Sequence, residues 1–574
     1  MKYFSFKISA APFVLFTISC ILFINFAGFG LDFHHDGFAF KPALDVANGA
    51  VIFKETFSQY GPLTVFIQSI IIKVFGEKLL YLKVGSLFFN AVSVFLITLI
   101  LNRFIPLILL LPTYLLCLVF AYFLESPVFP WSSDYALFFQ LLGLFFFVKL
   151  IDNPRKGIYA FLAGLCTALV FWCRQPVGVA AFTANLGFII FISLRSQDIR
   201  ISRVLFFLLG ACLGVGSMIS YFINLGILNL WYQQNILWPQ YWISVVARRE
   251  PSFWRLFPAR LLAHPITLET GLIYLAKSVG LLVFVSFLLR LRKINDNKWI
   301  KWGAYVSVFC LFYYLKPILT FKTIMPAVST CFGFFVVFRS LKEKYISTDN
   351  MAILALTVAC AAAWCQYYPF NDGRHVYWGI FPSIFCFSYV IYQVLNKNII
   401  LTLVIFLMLW APSINEKVKR SINYVSASWT EIQEPKILAG MKVPENNSQR
   451  QKIELEAIKF GEKLVELEGD RPIINWIDDP LYGCLKGGGP VADPYWSFLG
   501  SMGQNEFFGY FLHTRKTFIH KHRPFIFLHP GLQKLEKDLV QGYKYKIAGS
   551  FNEGRIKYLV PEESRYFEHK FHKS

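Results

Sequence analysis

Four short polar clusters carry the residue types that could do chemistry in this chain. The first is His34-His35-Asp36-Gly37, followed by Asp45, Glu55, Gln59 and Tyr60. A carboxylate beside imidazoles can act as a general base toward a hydroxyl or ligate a metal through oxygen. It can equally cap or solvate a loop. The second cluster, ESPVFPWSSDY, holds Glu125, Trp131 and Asp134. Asp134 either pairs functionally with the first acid or N-caps the helix that follows. The third is Arg174-Gln175-Pro176, a tight turn between two hydrophobic stretches. A guanidinium there binds an anion or snorkels to lipid headgroups. The fourth, QYYPFNDGRH, gathers Asp372, Arg374 and His375, with Lys316 and Lys322 in the preceding outer turn. Cation and imidazole together suit a phosphate or pyrophosphate, because arginine offers paired hydrogen bonds. Ordinary headgroup contact is the competing reading.

Several chemistries are excluded. There is no GxxxxGK[ST] loop, no HExxH and no GxSxG. His34 and His35 are adjacent, so their side chains diverge on a regular element, and a metal would need Asp134 or Asp372 as well. None of these patterns calls for a cofactor, and a divalent cation stays open at this point. Ten of the eleven cysteines fall in or beside apolar runs, and only Cys484 lies in the polar tail. Buried thiols of this kind behave as small hydrophobes.

The elements that must position these clusters are apolar. Of 574 residues, 56% are hydrophobic and only 16% charged, against about 25% charged in soluble domains. Mean hydropathy is +0.49. Apolar runs long enough for roughly 30 Å of hydrocarbon recur up to about residue 410. They predict about thirteen transmembrane helices: 8–30, 79–101, 105–123, 135–150, 157–173, 177–194, 203–223, 272–290, 303–317, 322–338, 351–369, 376–394 and 398–412. The first exceeds a signal-peptide core and reads as a retained span.

Charge sets the expected orientation. Residues 1–411 hold 32 Lys and Arg against 15 Asp and Glu, whereas the remainder holds 24 against 20. The excess sits in short loops, as the positive-inside rule requires, so the net charge of +21 implies a lipid bilayer and not nucleic acid. The N-terminus is then cytoplasmic, and the four clusters and the tail lie outside. Outer loop one, 31–78, contains an apolar stretch opened by Gly61-Pro62 that is too short to cross and reads as an interfacial helix. Outer loop four, 224–271, is rich in tryptophan and arginine, as suits the headgroup level. The division is a membrane domain, 1–412, and a small C-terminal α/β extracytoplasmic domain, 413–574. In the latter, 447–468 predicts a helix with an apolar stripe at Ile453, Ala457, Phe460 and Leu464, and 472–477 and 524–528 predict strands.

Certain stretches resemble a known family. These are His34-His35-Asp36-Gly37, Ala43 to Gly49, Gln59-Tyr60-Gly61-Pro62-Leu63 and Phe75-Gly76-Glu77, with Met441 to Glu445 and Asp478 to Tyr482 in the tail. They are similar to the GT-C membrane glycosyltransferases, in the protein-mannosyltransferase-like and aminoarabinose-transferase-like bacterial branch. Many relatives have Asp-Glu where this chain has Asp36-Gly37, and Pro-Pro where it has Gly61-Pro62. The resemblance implies transfer of a sugar from a polyprenyl-phosphate donor to a glycan, lipid or protein acceptor, inverting and metal-independent, at the outer face of the bacterial inner membrane. It implies Asp36 as the catalytic base. Arg374 and His375, with Lys316, Lys322 and Arg174, would hold the donor phosphate. His34, His35, Glu55, Gln59, Tyr60, Asp134 and Asp372 are then candidates for substrate contact.

Two other classes compete. A lipid-linked oligosaccharide polymerase or ligase would also carry outer arginines, but would lack the acid after the first span and the tail. A transporter or flippase predicts paired halves and ionisable groups near the midplane, whereas here they sit at span ends.

Overall fold

A computed structural model describes residues 10–121, 128–240, 321–367, 373–395, 397–446, 449–468, 471–476, 481, 484–485, 516–528, 533–551 and 556–567. Most of them are helical. In chain order the helices are α1 (Ala11–Ala27), α2 (His35–Ala47), α3 (Pro62–Phe75), α4 (Leu79–Leu101), α5 (Leu107–Ala121), α6 (Ser132–Asp152), α7 (Ile158–Cys173), α8 (Gln175–Arg195), α9 (Ser202–Asn224) and the short α10 (Leu228–Tyr232), which runs into a π-turn at Gln233–Leu237. They continue as α11 (Phe321–Lys342), α12 (Thr348–Trp364), α13 (Gly373–Val394), α14 (Ile399–Ser426), α15 (Gln449–Glu468) and α16 (Gln533–Gly542).

Eleven of the thirteen expected spans coincide with these helices; 272–290 and 303–317 lie outside the described residues. By length and composition, α4, α6, α8 and α9 are each able to cross a membrane, while α1, α3, α7 and α12 are shorter apolar helices. Along α9 a row of Leu205, Leu209 and Leu213 is exposed, an apolar face suited to lipid. Its opposite face meets α7 at close range. A Cβ on Gly164 would stand 2.0 Å from the Phe207 carbonyl oxygen, and one on Gly210 the same distance from that of Phe161. Only glycine permits this backbone approach, the small-residue device of membrane helices.

Polar side chains inside the bundle pair with one another. Ser86 Oγ lies 2.6 Å from Tyr135 Oη, Ser19 Oγ 2.7 Å from Tyr114 Oη, and Gln140 Nε2 donates to the Ala359 carbonyl at 2.7 Å. At one end of the bundle Arg103 bridges Asp152 at 2.5 Å and Asp349 at 3.4 Å, and Arg195 donates to the Ser340 carbonyl at 2.7 Å. These fasten four of the connections that the charge pattern assigns to the inner side: those at Arg103, at 149–156, at 195–203 and at 339–349.

Outer loop one differs from expectation in one respect. The stretch after α1 is not an open loop: His35 to Ala47 form α2, with Phe40, Ala43 and Leu44 buried. The expected short helix is present as α3, opened by Pro62 and half-exposed, with Ile70, Val74 and Phe75 outward.

In the tail, α15 and strands β3 (Ile473–Trp476) and β4 (Phe525–Leu528) fall where the sequence predicts them. With β5 (Tyr545–Phe551) and β6 (Ile556–Pro561) the sheet order is β3-β4-β6-β5, parallel between β3 and β4 and antiparallel elsewhere. A separate ribbon pairs β1 (Trp429–Glu431) with β2 (Lys442–Pro444). This tail shares a hydrophobic core with outer loop one and the start of α4: Phe40, Ala43 and Leu44 of the loop and Leu79 and Leu82 of the helix pack in one cluster with Leu438, Met441, Ile458, Leu481 and Tyr558. The chain after α1 also hydrogen-bonds to β2, since Lys442 N donates to the Gly28 carbonyl at 2.7 Å and Gly30 N to the Lys442 carbonyl at 2.9 Å.

Candidate functional site

Opposite the Arg103–Asp152 end, the described parts of the polar clusters meet around Trp131 and Ser133. The start of α2 supplies an acid and an imidazole. Asp32 Oδ1 accepts the backbone N–H of His34 at 3.1 Å and of His35 at 2.8 Å, an N-cap geometry, and lies 3.0 Å from His35 Nδ1. The His35 ring stacks on Trp131, with centroids 5.5 Å apart and planes 17° apart. The His34 ring does not diverge as its adjacency to His35 predicts: it packs edge-on against both His35, with centroids 5.2 Å apart, and Phe38. Side-chain exposure is 33% for His35 and 27% for Asp32.

Asp36 is enclosed. Neither it nor Lys83, 2.9 Å away on α4, has exposed side-chain surface. Lys83 also donates to the Gly30 carbonyl at 3.2 Å, and Asp36 Oδ2 accepts the backbone N–H of Asp32 at 3.0 Å. Burial pushes the Asp36 carboxyl above the usual carboxylate range, against the pull of Lys83. One turn of chain thus places two acids differently: Asp36 points into the protein under the loop, and Asp32 sits at the rim beside the imidazole.

The end of outer loop one also reaches Trp131. Tyr60 lies beside Trp131, with ring centroids 6.4 Å apart, and its phenol is pushed up by burial while the neighbouring Arg174 charge and the Gln59 side chain oppose the shift. Arg174 itself donates to Ser133 Oγ, which in turn donates to Gln366 Oε1 at 3.2 Å. That chain ties the Arg174 turn to the start of α6 and the end of α12. Gly61 is why loop and turn lie so close. Its N–H donates to the Cys173 carbonyl at 3.2 Å, and a Cβ there would stand 2.0 Å from the Trp172 carbonyl oxygen.

A second polar chain holds the loop from behind. Gln175 Nε2 donates to Asn235 Oδ1 at 2.6 Å, and Asn235 Nδ2 to the Ser58 carbonyl at 3.0 Å. Gln234 bonds the backbone at both Phe53 and Ser58. Gln234 and Asn235 lie in the π-turn, where an inserted residue re-aims side chains. Glu55 closes a local turn, its Oε2 accepting from Val51 N at 2.7 Å. Asp45 is held by Lys41 at 2.5 Å and by Thr56 Oγ1 at 2.7 Å.

Asp134 is almost fully buried. It accepts the indole N–H of Trp378 at 2.7 Å and the backbone N–H of Trp131 at 3.3 Å. It is not the N-cap that the sequence offers as one reading: Trp131 holds that position, and Asp134 stands three residues on, its carboxylate reaching back to the Trp131 N–H. Trp378 is one turn beyond Arg374 on α13, so the backbone of Arg374 and His375 begins a helix that Asp134 ties to α6. The side chains of Arg374, His375 and Lys322, and all of Lys316, Asp372 and Glu125, lie outside the described residues.

Sequence reasoning missed Asp32, Lys83, Ser133, Gln234, Asn235 and Trp378. Two of these had a signal: Asp32 stands one helical turn before Asp36, and Lys83 lies five residues into an apolar run, where a charge demands a partner.

No family model matches the chain, and no curated protein does. Among solved structures it is similar to the Archaeoglobus fulgidus oligosaccharyltransferase in complex with zinc and sulfate, with 13% identity and a TM-score of 0.43 over 95% of this chain and 73% of that one. The apo form of that enzyme gives 12%, 0.41, 97% and 76%. ArnT from Cupriavidus metallidurans bound to undecaprenyl phosphate gives 10%, 0.39, 97% and 99%.

Proposed function

We propose that this chain is a membrane glycosyltransferase that moves a sugar from a polyprenyl-phosphate donor to a hydroxyl-bearing acceptor at the outer face of the bacterial cytoplasmic membrane. The observation that carries this reading is the convergence around Trp131. An imidazole paired with an acid stacks on it, and a phenol beside a guanidinium lies near it, at one end of a bundle with apolar outer faces. A polyprenyl chain stays in lipid while its phosphosugar head meets a polar acceptor, so the chemistry belongs at such an end. The leaving phosphate is already anionic, and a fixed cation lowers the barrier for its departure. Arg174, with Arg374, His375, Lys316 and Lys322, is proposed to hold it. The turn from Asp32 to Asp36 is proposed to supply the proton acceptor, with Glu55, Gln59 and Tyr60 framing the substrate. Single displacement inverts the anomeric centre, and no metal is required by this scheme. The division proposed is a membrane unit, 1–412, whose last helix α14 runs on to Ser426, and an outer unit, 413–574, that braces loop one.

The test is transfer from a panel of radiolabelled polyprenyl-phosphate sugars by purified protein, with a crude acceptor extract of the source cells. Label entering an acceptor together with release of polyprenyl phosphate supports the proposal. Movement of the labelled lipid across proteoliposomes without transfer would replace it by the transporter reading.

A further inference from the structure

Resting on that reading, we infer that His35 is the group that takes the acceptor's proton, with Asp32 as its positioning residue. The carboxylate expected in this role, Asp36, has no exposed surface and is paired with Lys83. The imidazole one residue earlier is one-third exposed at the rim of the same turn. Its Nδ1 lies 3.0 Å from Asp32 Oδ1, so the carboxylate is placed to hold a proton on Nδ1 while Nε2 is the atom proposed to take the acceptor's. The ring plane is fixed by the stack on Trp131, and the Asp32 oxygen by two backbone N–H groups. Base, orienting carboxylate and packed support are the parts of an activated-base site. Capping alone does not account for the imidazole, because the cap uses backbone N–H groups that any residue would supply.

The step balances as follows. The acceptor oxygen forms a bond to the anomeric carbon as the bond from that carbon to the phosphate oxygen breaks. The electron pair of that bond leaves on polyprenyl phosphate. The acceptor's hydroxyl proton passes to His35 Nε2, the Asp32 carboxylate stabilises the imidazolium, and the proton is then released to water.

The experiment uses the full chain in lipid nanodiscs with the donor panel and acceptor extract. His35→Ala should lower kcat by about 10²- to 10⁴-fold with little change in donor KM, and added imidazole should restore part of the rate. Asp32→Asn should lower kcat by at least about 10-fold while polyprenyl phosphate still binds. Wild-type transfer with an undiminished His35→Ala variant would overturn this assignment and leave the transferase reading standing. Loss in His35→Ala that imidazole does not relieve, with donor KM rising in parallel, would make the residue structural and overturn it as well. A wild type silent with every donor would overturn both.

Discussion

Lys83 and Asp36 face each other at 2.9 Å with no exposed surface on either side chain, joining α4 to the first turn of α2. Removing one member leaves an uncompensated charge inside the protein, which costs about 3–5 kcal/mol, whereas replacing both is often neutral. Lys83→Met should therefore lower thermal stability sharply, and Lys83→Met with Asp36→Asn should recover most of the loss. Burial already raises the Asp36 carboxyl, so folding favours its protonated form. The stability that comes from protonation is fully present below the ordinary aspartate value and is lost as pH rises through the raised one. The Lys83→Met deficit should accordingly shrink on acidification. A denaturation series across pH checks this, and a deficit that is flat or grows toward acid would contradict it.

Trp378 donates its indole N–H to Asp134 across the α6–α13 contact. Trp378→Phe keeps the ring but takes a donor from a buried carboxylate, a loss of about 1–3 kcal/mol. Because Arg374 and His375 begin the same helix, the substitution should also raise the donor KM more than it lowers kcat. Steady-state kinetics on donor and acceptor separately would show it, and an effect confined to the acceptor would count against the link.

Much of this arrangement was written in the apolar pattern. Eleven helices fall on expected runs, and the Gly61-Pro62 start of α3 follows from proline's fit to a first turn. The helix at His35 was not legible, because it is short and its buried face, Phe40, Ala43 and Leu44, is apolar only with respect to the tail that covers it. Strands β5 and β6 were missed for a related reason: Lys546, Ser550 and Lys557 interrupt any simple alternation, and pairing of β6 with β4 and of β5 with β6 stabilises them. In the site, types at span ends were readable, but which carboxylate turns inward depends on Lys83, 47 residues beyond Asp36. No local pattern reports such a pairing.

In the tail, Glu563 is held to about pKa 2 by Arg523, whose guanidinium meets both its oxygens at 2.7 and 2.9 Å. A depressed value means that the stabilisation is present above the ordinary carboxylate range and is lost as pH falls from about 4.5 toward 2. The carboxylate is half-exposed, so screening limits the pair to about 1 kcal/mol or less. Glu563→Gln should therefore leave transfer unchanged at neutral pH and reduce the difference in stability between pH 6 and pH 3. Unfolding of variant and wild type in parallel at those two values provides the check.

The approach of Gly61 to the Trp172 carbonyl makes the most localised prediction for activity. A Cβ at 2.0 Å from a backbone oxygen cannot be relieved by turning a side chain. Gly61→Ala must push the end of outer loop one away from the Cys173–Gln175 turn, breaking the Gly61–Cys173 hydrogen bond and separating Tyr60 from Arg174. Misplacing reacting groups by about 1 Å can cost 10²-fold in rate. The variant should fold, because α3 and its buried face are retained, yet lose transfer by about that factor. Expression and thermal stability measured beside kcat/KM would separate the two effects. Wild-type activity in Gly61→Ala would show that Tyr60 and Arg174 need not be held together for the reaction.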